Sequence, residues 1–174
     1  MTRTLPLTPL GRKWTLSIHL IFVGLWFGAA IAMVLLIALR PPSFGSAESL
    51  VVHCNCVKII DDYMIIASAG GSLVTGLFLS WKTKWGFFQW YWIVFKIAAT
   101  VGMVCFGALF LGPWINKTAE VAAKLGLQAF DSPAYQSANS KALIFGVLQI
   151  GLLATVIVIS VFKPWGRLSK RPSV

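Results

Sequence analysis

Four apolar runs, each long enough to cross a bilayer, constrain this chain more than any other feature. A hydrocarbon core of ~30 Å takes roughly 20 helical residues. The runs at about 14–39, 57–79, 89–111 and 142–162 all reach that length. None alternates polar with apolar positions, so none reads as a strand. Backbone groups in lipid must then be satisfied within each segment, which means helices. The expected fold is all-α, an integral membrane four-helix bundle forming one domain over residues 1–174. Only 11% of residues are charged, against about 25% in a soluble domain, and the charges fall mostly between the runs. Arg3, Arg12 and Lys13 ahead of the first run give it the outline of a secretory signal. Its apolar stretch exceeds the ~7–15 residues of a signal core and no small-x-small site follows, so a retained helix is expected.

Charge sets the expected topology. Arg3, Arg12, Lys13, Lys82, Lys84, Lys163, Arg167, Lys170 and Arg171 fall on one side with no acid among them. On the other side Arg40, Lys58, Lys117, Lys124 and Lys141 balance Glu48, Asp61, Asp62, Glu120 and Asp131. The positive-inside rule therefore places both termini in the cytoplasm, and the net charge of +10 also favours anionic lipid. Nucleic acid is not an expected partner, because no soluble domain carries a basic face. The bilayer is, with a membrane-protein partner or a second copy of the chain as further possibilities. Trp14, Trp81, Trp85, Trp90, Trp92 and Trp165 mark the inner boundary and Trp114 the outer one, as indoles prefer the headgroup layer.

Turn and packing signals fill in the rest. "RPPSFGSAES" reads as a short outer loop and "SWKTKWGFFQW" as a tight inner one. Pro113 is expected to end the third helix. The outer connection 112–141 is expected to hold a short amphipathic helix over the outer mouth, with Val121, Leu125 and Ala129 at helical spacing and Thr118 as its cap. Small-residue faces at Gly24/Gly28, Ser68/Ser72/Gly76 and Ala98/Gly102 are expected to pack within the bundle.

Ionisable groups inside a span are costly and are site hypotheses by default. His19 lies roughly 7 Å beyond Trp14, and Lys96 about 10 Å into the third helix from the same side, at ~1.5 Å per residue. Ser72 and Thr75 reach a similar depth, so the four define one polar cluster in the inner leaflet. Lys96 has a competing role, snorkelling to the inner headgroups. Lys58 and Asp62 are i,i+4 neighbours; with Asp61 they read either as a solvated helix end or as a cation or headgroup site. His53, Cys54 and Cys56, in "HCNC", are a weak candidate for a soft metal such as Cu(I). Imidazole is a common axial ligand to haem, and helix bundles hold haem between facing helices. His19 and His53 are at opposite faces and cannot share one iron. A haem b at His19 would take Lys96, Met33, Met103, water or nothing opposite; a helix-to-helix hydrogen bond is the alternative role.

The stretches "HLIFVGLWFGAA" and "WYWIVFKIAATVG" resemble the group of small four-helix membrane proteins that includes CopD-like copper-resistance proteins and HemJ-type protoporphyrinogen oxidases. Residues 58–96, with "IDD", "TGL", "WGFF" and W-x-x-x-K, are similar to an uncharacterised bacterial family in that group. The resemblance covers the first three helices. It implies a multi-pass protein of the bacterial inner membrane, with the haem-ligand role on His19 and a functional role on Lys96. HemJ-like sequences carry further His, Arg and Tyr after the first helix, where this chain reads "ALRPPSFG". Three functions stand as expectations: a haem-binding redox protein, a metal-handling protein using His53, Cys54 and Cys56, and a non-catalytic accessory subunit of a larger complex.

Overall fold

A computed structural model describes residues 7–38, 45–83 and 86–168. Arg3, Arg40, Lys84, Trp85, Lys170, Arg171 and the Pro41-Pro42 turn lie outside them. Four helices long and apolar enough to cross a membrane account for nearly all of the described chain: α1 Pro9–Ala38, α2 Ala47–Lys82, α3 Tyr91–Asp131 and α4 Pro133–Phe162. Each packs on two neighbours, α1 on α2 and α4, and α3 on α2 and α4. No contact joins the diagonal pairs among the described residues. The ends of α1 and α4 nearest the chain termini lie together, and this is called the basal end; the opposite end is distal.

Two helices are longer than their apolar runs, and both contain a π segment. Ser46 caps α2, its Oγ accepting from Ser49 N–H at 3.2 Å, and the helix continues through a π turn at Ile60–Ile65. α3 is α-helical over Tyr91–Phe106, π over Gly107–Leu111, α-helical again over Gly112–Leu125, and closes in a 3-10 turn at Gly126–Asp131. Pro113 therefore does not end the third helix. A proline ring normally meets the carbonyl four residues back. Here the preceding Gly112 N–H reaches Gly107 O, five back, and the widened turn makes room for the ring. Thr118 is likewise not a cap: it is buried inside the helix, its hydroxyl donating to Ile115 O at 2.8 Å. Helix fills most of 112–141, and α4 starts at Pro133.

The small-residue faces divide unequally. Ser68 and Ser72 are buried, whereas Gly24, Gly28, Ala98 and Gly102 are exposed. The close approach between α1 and α2 is made at Gly71, where a Cβ would come 2.5 Å from the Phe22 ring. Burial is densest distally. Leu50, Cys54, Ala122, Ala129 and Tyr135 form one cluster, and Met33, Ile37, Val57, Ile115 and Ala142 the next. A third cluster around Trp26, Ala30, Ala69, Met103 and Leu153 closes the core above a basal cavity.

Candidate functional site

The basal third of the bundle encloses a cavity of about 430 Å³ between all four helices. This falls within the ~300–1,000 Å³ of small-molecule and cofactor sites. Its walls are mostly aliphatic, from residues such as Leu16, Val23, Ile93 and Ile157. His19 enters from α1, Ser72 and Gly76 from α2, Lys96 and Thr100 from α3.

His19 is buried, and its orientation follows from α2. Its Nδ1 lies 2.8 Å from Thr75 Oγ1. That hydroxyl also lies 2.6 Å from Gly71 O and 3.2 Å from Ser72 O, carbonyls of its own helix. A hydroxyl has one proton, and here it is committed to the backbone. Oγ1 is then placed to accept from Nδ1–H, in the tautomer whose Nε2 carries the lone pair. Gly76 provides the space: a Cβ there would sit 3.2 Å from His19 Cε1. The ring also hydrogen-bonds the backbone of Ser72.

Lys96 is half-buried beside this ring and forms no ion pair among the described residues. No acidic side chain lines the cavity; all five in the chain belong to the distal half. The structure thus gathers His19, Lys96 and Ser72 on one cavity, with Thr75 behind His19. Met33 and Met103 do not line it; both are buried in apolar clusters.

The distal candidates separate. Asp62 pairs with Lys58 at 2.5 Å, but Asp61 points inward, buried, with its Oδ2 3.4 Å from where a Gly112 Cβ would stand. It is not part of a solvated helix end. His53, Cys54 and Cys56 lie on a continuous helix, which turns successive residues apart by about 100°. Cys54 is buried with Sγ 3.9 Å from Tyr135 Oη, while Cys56 is exposed. The three do not converge, and no group of three His, Cys, Asp or Glu among the described residues is placed to hold a metal. The soft-metal site expected from "HCNC" is therefore not formed.

Among the cavity residues that escaped the sequence reading as site members are Arg12, Trp26, Thr100 and Lys163. Arg12 and Lys163 read as topology charges, and Thr100 carries no distinguishing pattern. Trp26 did carry a signal, since an indole twelve residues beyond Trp14 lies too deep for the headgroup layer. No protein-family model, curated protein or solved structure matches the chain.

Proposed function

We propose that this is a multi-pass membrane protein whose basal cavity takes one haem b, with His19 as the residue that would hold its iron. The observation that carries the reading is the His19–Thr75 contact. Metal-binding imidazoles characteristically donate their other N–H to a fixed acceptor, which sets the tautomer and the ring plane. Thr75 Oγ1, 2.8 Å from His19 Nδ1, offers such an acceptor. The remaining donor set suits the group: apolar walls for a macrocycle, cations for its carboxylates, and no acid to repel them. Bound iron would supply one-electron chemistry. The chain's own part is to orient the ring nitrogen, exclude water with aliphatic walls, and set a positive charge beside the group through Lys96. The resemblance to HemJ-type proteins supports the same two residues.

Four long apolar helices and the uneven charge support insertion with the basal end in the cytoplasm, in a bacterial inner membrane. Haem titration, followed by quenching of the tryptophans, tests the site. One haem per chain is expected for the wild type and no saturable binding for His19→Ala; equal binding by both would refute the assignment. Orientation is tested by an impermeant maleimide on intact spheroplasts. Exposed Cys56 is expected to react from outside, and labelling only after lysis would reverse the topology.

A further inference from the structure

The outer surface of the bundle carries a polar group that the basal site does not use. The apolar run of α4, residues 142–162, holds three polar side chains: Gln149, Thr155 and Ser160. Thr155 Oγ1 donates to Gly151 O at 2.8 Å and Ser160 Oγ to Val156 O at 2.7 Å, so their own helix satisfies both hydroxyls. The Gln149 carboxamide hydrogen-bonds nothing among the described residues. The residue is half-buried, its Nε2 3.8 Å from where a Gly107 Cβ would stand. Its depth keeps water away: position 149 lies about 10 Å beyond the start of the run, in a hydrocarbon core of ~30 Å. Lipid tails offer neither donor nor acceptor, so an amide there is costly unless protein supplies its partner.

Gln149 stands in a groove of about 270 Å³ between α3 and α4. Gly102 and Phe106 line it from α3, and Phe145, Leu148 and Leu152 from α4. Leu148 is 60% exposed and Phe145 37%, so the groove opens away from the bundle. Nothing stands within 4 Å of a Gly102 Cβ, which leaves the floor free for another side chain. Whatever fills the groove must bring hydrogen-bonding groups to the depth of Gln149. A second copy of this chain does so by construction. With all copies inserted in one orientation, as the uneven charge favours, a twofold axis along the membrane normal sets each residue opposite its own copy at equal depth. A carboxamide is both donor and acceptor, so two of them exchange a reciprocal pair of N–H···O=C bonds. A lipid tail cannot.

We propose that the α3–α4 groove is a homodimer interface, with Gln149 of two copies hydrogen-bonded across the twofold axis. This rests on membrane insertion and not on the haem assignment. The test uses the full chain in phosphatidylcholine vesicles. Donor and acceptor dyes are placed on exposed Cys56 in a Cys105→Ser background, and energy transfer is read against the protein-to-lipid ratio. The chain with Gln149 intact is expected to follow a two-copy isotherm. Gln149→Leu keeps the face apolar and is expected to need about tenfold more protein per lipid for half-saturation, the scale of two interhelical hydrogen bonds in lipid. A second readout is oxidative cross-linking in a Cys56→Ser/Cys105→Ser background. Leu148→Cys is expected to give a disulfide-linked dimer, and Val74→Cys, 66% exposed on α2, is expected to stay monomeric. Absence of energy transfer at every ratio would leave the groove to lipid tails and overturn the inference. So would equal association of Gln149→Leu, or cross-linking at Val74 as readily as at Leu148; haem binding would stand in each case. Protein that alkali strips from the vesicles would overturn membrane insertion and this inference with it.

Discussion

The two ends of the bundle solve opposite problems with the same four helices. Distally, Leu50, Ala122, Ala129 and Tyr135 are fully or almost fully buried, and α2 and α3 extend past their apolar runs to make that contact. Basally, the helices leave a cavity of about 430 Å³ and place a histidine, three cations and several hydroxyls around it. Two of the chain's five acids, Asp62 and Glu120, pair with lysines distally; no acidic side chain lines the basal cavity. Well-packed interiors lose stability whenever atoms are removed. A preorganised cavity has already given up that packing, so it should tolerate truncation while binding suffers. In the proposed function the distal end holds the fold and the basal cavity takes the haem.

Truncation gives the largest contrast. Tyr135→Ala is expected to cost about 3–5 kcal/mol, the range for removing a large buried aromatic. Leu16→Ala, on the cavity wall, is expected to cost under about 1 kcal/mol because the space beside it is already open. Unfolding midpoints in a denaturing-detergent titration compare them, and similar losses would erase the distinction between the ends. Next in size is the α1–α2 contact. Gly71→Ala drives a Cβ into the Phe22 ring and is expected to cost about 1–3 kcal/mol. Gly24→Ala, with nothing within 4 Å of its Cβ, should be neutral or stabilise by up to about 1 kcal/mol. If Gly24→Ala proved the more damaging, the small residues of α1 would be packing against something outside this chain.

Thr75→Val sharpens the comparison from the ligand side. It removes the acceptor from His19 and keeps the shape, at about 1 kcal/mol of stability, yet is expected to weaken haem binding about 10–100-fold. Thr75→Ser should restore both, and unchanged haem affinity in Thr75→Val would show that the ring needs no such support. The smallest effect is distal. Glu120 accepts from Lys124 at 2.6 Å and from Lys117 at 3.1 Å, and these hydrogen bonds hold its carboxyl below the ordinary value of 4.5. A folded-state value below the unfolded one adds stability above about pH 4.5 and loses it as pH falls through the lowered value. Relative to Glu120→Gln, the wild type should show a small constant advantage at neutral pH that disappears on acidification. An advantage that grew in acid would reverse the sign.

Much of this was legible in the residues, and the failures have physical causes. Run length and composition identify four long helices because an apolar stretch of that size has few other folds. The depth of His19 and Lys96 follows from rise per residue alone. What escaped is what depends on neighbours. Pro113 looked like a stop, but a π turn that no local pattern announces carries the helix through it. Gly24 and Gly28 have the spacing of a packing face, yet Gly71 makes the approach because Phe22 happens to oppose it. "HCNC" placed three soft ligands within four positions, and the helix then turned Cys54 inward and Cys56 out. Arg12 and Lys163 were counted as topology charges, which hides that both also line one cavity.

The most direct test uses the two histidines, one at each end of the bundle. Visible spectra of detergent-purified protein, loaded with haem and read oxidised and reduced, would be compared for wild type, His19→Ala and His53→Ala. The account predicts haem bands in the wild type, unchanged bands in His53→Ala, and their loss in His19→Ala. Bands that survive in His19→Ala, or a wild type that takes up no haem, would contradict it.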